Sequence, residues 1–280
     1  MPGISGCQCW CMEHHQHSCK GLCQWRGLVS PFRRGEIHAF TGLSDAAFSE
    51  LVARIWAVRP DNTPVRPWSL SFPDRVLLVV MSLRTNLTER QIAWIFSTTD
   101  STVDRVVHDV SPHLAGLLGP APIDKRYLWI VDGTLIPTED HKRSAKSKNY
   151  RRSVNVQVVC RRKDRQVLAV GKAWPGNRND VVVYRETLEE TVARHRRLIG
   201  DGGYRGELGI TTPIRGPDGR IVKDAVWKRF RKRRAVVEHV IGGMKTWRVL
   251  RCCRRKGDGV NLVVKSVAAL WNLRIEMAGR

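Results

Sequence analysis

Acidic side chains are in short supply in this 280-residue chain. Only 26 Asp plus Glu stand against 48 Lys plus Arg, a formal net charge of +22. Such a deficit favours polyanionic partners, because each phosphate contact releases condensed counterions. Long apolar runs are missing as well. The best, Val76 to Leu83, falls far short of the roughly 18 residues of a membrane span. No long lipid-facing amphipathic pattern replaces it, so a membrane partner is not expected. The N-terminus lacks a basic region followed by an apolar one, which argues against a secretory signal and for a soluble, cytoplasmic protein. Hydrophobic residues still make up 42% of the chain, enough for a globular core.

Cysteine is thin beyond the start. Five of the eight lie in the first 23 residues (Cys7, Cys9, Cys11, Cys19 and Cys23), with His14, His15 and His17 among them. Zinc could be held by such a set, but the spacing is not a C-x₂-C pair followed by a second pair at finger distance. The expectation is a disordered tail over residues 1–35. Cys160 belongs to a strand and reads as core, whereas Cys252 and Cys253 lie in a basic stretch with no evident partner.

Residues 36–119 read as a small all-α domain. Ser44 can cap a helix carrying Phe48, Leu51, Val52 and Ile55 on one side, and four prolines from Pro60 to Pro73 break the pattern. A second helix is predicted from about Asp74 to Arg84. Thr88 and Gln91 have the spacing of a capping box, opening a short helix with Ile92, Ala93 and Phe96 on its apolar face. After a polar turn, Val103, Val106, Val107 and Val110 define another helix. The pair resembles a DNA-binding helix-turn-helix, with Ser101, Thr102, Arg105 and His108 expected to face the major groove of double-stranded DNA. Ser97 stands where the turn often has glycine, and Asp100 and Asp104 would repel phosphate.

From residue 123 to the end the periodicity changes to that of strands. An apolar run, Tyr127 to Ile130, delivers Asp132 with Gly133 behind it, and Arg197 to Ile199 delivers Asp201 with Gly202 behind it. Both aspartates are predicted at strand ends where glycine lets the chain turn. Between them come a basic segment with Lys146, Lys148 and Arg151, an alternating strand from Ser153 to Val159, and a third strand from Gln166 to Trp174. Asp180 is placed to cap a helix running through Tyr184, Leu188 and Val192. A short strand near Ile210 to Ile214 and two helices complete the chain.

Three strands, a helix, a strand and terminal helices predict an α/β, ribonuclease-H-like domain, a mixed sheet with flanking helices, over residues 123–280. Glu238 lies beside the apolar face Val237, Val240, Ile241 and Met244, on a stripe with Arg231, Arg234 and Lys245. On helix geometry alone its simplest role is an i, i−4 ion pair with Arg234. The cations from Lys228 to Arg234, and Arg254, Arg255 and Lys256, would clamp phosphate without reading sequence.

V-D-G-T at 131–134, P-G-N-R-N-D at 175–180, G-D-G-G-Y-R-G at 200–206 and V-E-H-V-I-G-G-M-K at 237–245 together resemble the DDE transposases, closest to the insertion-sequence five group and its Harbinger-like relatives. T-G-L-S at 41–44 and the helix-turn-helix-like stretch resemble that group's N-terminal region. The resemblance implies that Asp132, Asp201 and Glu238, spaced 69 and 37 residues apart, form a catalytic triad for Mg²⁺, with Mn²⁺ as a substitute. It further implies that Asp132 bridges two ions while Asp201 and Glu238 each complete one coordination sphere. Water would cut at the transposon end, and the released 3′-hydroxyl would attack target DNA. Bringing two ends together implies a homodimer on DNA, in the cytoplasm at the nucleoid. Asn179-Asp180 stands where relatives commonly carry His-Asp. A catalytically silent DNA-binding protein and another nuclease on the same fold are the alternatives.

Overall fold

The computed structural model describes residues 36–59, 68–123, 126–192, 195 and 197–279. The Cys/His-rich tail and the prolines from Pro60 to Pro67 lie outside them.

Five helices come first. Helix α1 (Glu36–Thr41) turns through Gly42, at φ +75°, into α2 (Asp45–Val58), whose cap is Ser44 accepting from the Ala47 N–H at 3.2 Å. Helix α3 (Phe72–Thr85) starts at Phe72 rather than near Asp74, because Ser71 takes the cap. All of its residues from Phe72 to Leu83 are buried, Asp74 and Arg75 included, which makes it the pillar of the helical part. Helix α4 (Glu89–Ile95) begins in the expected capping box of Thr88 and Gln91. The turn after it passes through Ser97 at φ +48°, and α5 (Asp100–Gly116) follows with Val103, Val106, Val107 and Val110 buried.

The sheet is built from β1 (Trp129–Pro137), β2 (Ser153–Arg161), β3 (Val167–Val170), β4 (Trp174–Pro175), β5 (Leu198–Ile199) and β6 (Ile210–Thr211). Its order is β3-β2-β1-β5-β6, with β4 also pairing β2. The first three strands are antiparallel, and β5 and β6 run parallel to β1. Helices α6 (Asp180–Thr187) and α7 (Glu189–Val192) replace the single helix read from the sequence, interrupted at Leu188. Helices α8 (Ala225–Met244) and α9 (Gly259–Ala278) close the chain. This mixed sheet with flanking helices is the expected ribonuclease-H-like arrangement.

Side chains alternate across the strands and create two layers. Trp129, Val131, Val159 and Leu168 pack with Tyr184, Leu188, Val192 and Tyr204 on the α6 side. Ile130, Ile136, Val154, Val156 and Val158 pack on the other side with Val237, Val240 and Met244 of α8, with α9, and with the helical part in one continuous core. Arg54–Glu276 at 2.9 Å, Arg255–Glu89 at 2.8 Å and Arg84 to the Thr246 hydroxyl at 2.6 Å tie the two halves further. Helix α9 also guards the sheet. Asn272 accepts from the Val167 N–H at 2.8 Å and donates to its carbonyl at 2.7 Å, occupying groups of edge strand β3 that could recruit another strand.

Candidate active site

The site forms where the sheet loses a partner. Strand β1 pairs with β5 only at Trp129↔Leu198 and Ile130↔Ile199, then runs on to Pro137. Asp132 is therefore not at a strand end, as its following glycine suggested, but mid-strand, just past the last rung of the parallel pair. Asp201 lies two residues beyond β5, where its carboxylate accepts from the Gly203 N–H at 2.8 Å and opens a 3₁₀ turn. The predicted neighbouring strands thus bring Asp132 and Asp201 to one edge, at the carboxyl ends of parallel strands where α/β sheets commonly bind ligands.

Gly133 has a different purpose from the one its sequence suggested. It stays in the strand, paired opposite Gln157 on the α6 side. A Cβ there would overlap Asp180, within 2.7 Å of its Cγ, and would stand 2.8 Å from Gln157 Nε2. The glycine is an opening through which Asp180 reaches the acids. Asp180 consequently does not cap α6, contrary to the expectation from its position. Asn179 holds the cap position, and Asp180 Oδ1 accepts from Asn155 Nδ2 at 2.8 Å and Gln157 Nε2 at 3.0 Å. Gln157 in turn accepts from the Tyr204 hydroxyl.

Sequence reasoning misses these three partners, although β2 carries a signal. Its alternating Ser153, Asn155 and Gln157 read as a solvated strand face, yet all three are buried. The polar side of β2 meets Asp180 and Ser147 instead of water.

Glu238 comes from the opposite layer. The i, i−4 pair with Arg234 is present, and the same guanidinium donates to Asp132 Oδ2 at 3.0 Å. Arg234 thereby links the strand acid to the helix acid. It is mostly buried between them and does not lie open to phosphate, as the basic run containing it suggests. Among the described residues no three His, Cys, Asp or Glu side chains form a ready coordination sphere, Asp132, Asp180 and Asp201 included, and Arg234 stands between Asp132 and Glu238. The donor set nonetheless fits a hard divalent cation: carboxylate oxygens only, crowded with like charge. Burial is the main cause pushing the Asp132 carboxyl up to about 7. Arg234 opposes that rise, while Asp201 and Asp180 add to it. Tyr204 is pushed well up by burial first, then by Asp180, Asp132 and Asp201.

A cleft of about 890 Å³ opens beside the acids. Lys146, Lys148, Arg178 and Lys245 line it, with Tyr150, Asn155 and Asp180. Lys146 and Lys148 are both exposed at its rim, and Arg151 is exposed nearby in sequence. Lys245 is half-buried, donates to the Leu135 carbonyl at 3.1 Å, and has its pKa lowered by burial and then by Arg251. Arg231 is exposed on α8, stacked over Trp227 at 5.5 Å. Arg254 donates to the Asn86 carbonyl at 2.6 Å while remaining exposed, and Arg255 is half-buried and pairs with Glu89 at 2.8 Å.

On α5, Ser101, Arg105 and His108 are exposed. Thr102 is not. It is buried, its N–H donating to the capping Thr99 hydroxyl at 3.3 Å and its own hydroxyl 3.0 Å from the same oxygen. One helical step carries it inward from Ser101 to the Val103 side. Trp94 of α4, which the apolar pattern of that helix does not single out, is 81% exposed.

Comparison with known proteins gives these features a common origin. The family described as "Transposase DDE domain" matches residues 124–273, and "Helix-turn-helix of DDE superfamily endonuclease" matches residues 68–120. A putative transposase for insertion sequence element IS112 from Streptomyces albus G is 40% identical over 254 residues, 89% of this chain and 98% of that protein. The chain belongs to the DDE superfamily of insertion-sequence transposases, with a helix-turn-helix ahead of its catalytic part.

Proposed function

We propose that this transposase cuts the ends of its own insertion sequence and joins them to target DNA by metal-dependent phosphoryl transfer, with Asp132, Asp201 and Glu238 as its catalytic acids. The observation that carries the reading is the convergence of Asp132 and Asp201 at the open edge of β1, with Glu238 tied to Asp132 through Arg234. Bound Mg²⁺ or Mn²⁺ would activate the attacking oxygen and stabilise the leaving one. The chain's own contribution is placement. β1 and the turn after β5 orient two carboxylates from the sheet, and α8 brings the third from its face. Lys146 and Lys148 hold backbone phosphate along the cleft.

Residues 36–119 serve as the part that contacts double-stranded DNA, through Ser101 and Arg105, and residues 123–280 as the catalytic part. Two copies on paired ends would act as a homodimer, in the cytoplasm at the nucleoid. Purified protein incubated with terminal DNA and Mg²⁺ tests this. Asp132→Asn is expected to lower cleavage by about a thousandfold or more, the scale of several kcal/mol of transition-state stabilisation. Cleavage at the wild-type rate by that variant would remove Asp132 from the reaction. Cutting without subsequent joining to a second DNA would reduce the protein to a nuclease.

A further inference from the structure

We propose that Asp180 is a fourth carboxylate of the catalytic cluster, presenting Oδ2 to the divalent cation that Asp132 and Asp201 hold. The inference rests on the assignment of those two acids above.

Four separate positions shape the surroundings of this one side chain. Gly133 leaves the opening through which it enters, and Asn155 and Gln157 spend their amide N–H groups on Oδ1. Gln157 is itself held by Tyr204, and all three of these partners are buried. Fixing one oxygen of a carboxylate with amide donors is how proteins aim the other at a metal. That other oxygen is open: no donor among the described residues reaches Oδ2. It lies 3.6 Å from the point where a Cβ on Gly203 would sit, and Asp201 Oδ1 lies 2.9 Å from the same point.

A purely structural explanation of Asp180 is weak. The helix it begins gains no cap from it, because Asn179 takes that position and the Asp180 carboxylate turns to the sheet. Charge is also unbalanced here. Arg234 serves Asp132 and Glu238, but no Lys, Arg or His among the described residues forms an ion pair with Asp180 or Asp201. Placing a carboxylate against two others without a counter-cation is costly, and a divalent ion held in common removes that cost.

Asp180→Asn keeps an oxygen for the two amides and removes only the charge and the free oxygen. Mn²⁺ binding to the full chain without DNA, followed by the electron paramagnetic resonance signal of free Mn²⁺, tests the assignment. The expected result is affinity at least about tenfold weaker than wild type, the lower end of what losing even an outer-shell partner of a metal costs, with the metal-free melting temperature not lowered, since one of the crowded charges is gone. Wild-type affinity in Asp180→Asn, while Asp132→Asn and Asp201→Asn no longer bind Mn²⁺, would overturn the inference and leave the pair standing. Wild-type affinity in all three variants would remove the parent assignment and this one with it. If Asp180→Asn does not fold, wild-type protein loaded with Fe²⁺ and exposed to ascorbate and peroxide decides. Backbone cuts are expected at 179–181 together with 131–133 and 200–202, and cuts at the last two alone overturn the inference.

Discussion

At the scale of single residues, Asp132 shows how burial and crowding set a chemical state. Its carboxyl is pushed up to about 7 from an ordinary 3.8. Between those values the folded protein keeps a proton that the unfolded chain has released. Stability therefore falls as pH rises through that window and levels off above it. Asparagine has nothing to ionise. Metal-free Asp132→Asn should lack this decline, melting several degrees above wild type at pH 8 while matching it more closely near pH 4. Parallel melting curves across that range would mean that Asp132 does not titrate as its surroundings require. Gly133→Ala probes the neighbouring constraint. Its methyl would press on Asp180 and Gln157, so a loss of about 1–3 kcal/mol is expected from overpacking. Chemical denaturation measures it, and an unchanged midpoint would show that the opening is not needed. The existence of these acids is legible in sequence, but the meaning of the glycine is not. Glycine is equally at home in a turn and in a strand that something must approach.

At the scale of elements, the helix-turn-helix is readable because its determinants are local. The capping box of Thr88 and Gln91, the valines of α5 and the odd residue Ser97 are all properties of a few adjacent positions. Ser97 adopts the left-handed conformation that the motif's usual glycine would take. Ser97→Gly should stabilise the protein by about 1 kcal/mol, the steric cost of a side chain there less glycine's greater unfolded freedom. A thermal or denaturant midpoint that drops would show that the turn owes more to the Ser97 side chain than to backbone strain. The pattern of β2 predicts a strand correctly and misleads as to what its polar side meets. Alternation reveals that two faces differ, and water is only the commonest reason. Helix α8 likewise discloses the Arg234–Glu238 pair by spacing alone. That Arg234 also grips Asp132, 102 residues away, has no local signature.

At the scale of the whole molecule, the charge excess becomes a directed feature. The cleft beside the acids is rimmed by Lys146, Lys148 and Arg178. The double variant Lys146→Ala/Lys148→Ala should weaken binding to any DNA sequence alike. It should also reduce the slope of log affinity against log salt by about 2, close to one for each phosphate no longer neutralised. A slope equal to that of wild type would place the DNA elsewhere. The helical part and the sheet share one core through α9, which sets the helix-turn-helix in a fixed relation to the acids. Periodicity, capping and motif spacing, all encoded within short windows, determined the elements, the fold class and the three acids first singled out. Only the tertiary structure decided that Asp132 stands mid-strand, that Thr102 turns inward and that Asp180 faces the acids. Those outcomes depend on which distant segments share a space, and the meeting of distant segments leaves no period in the chain.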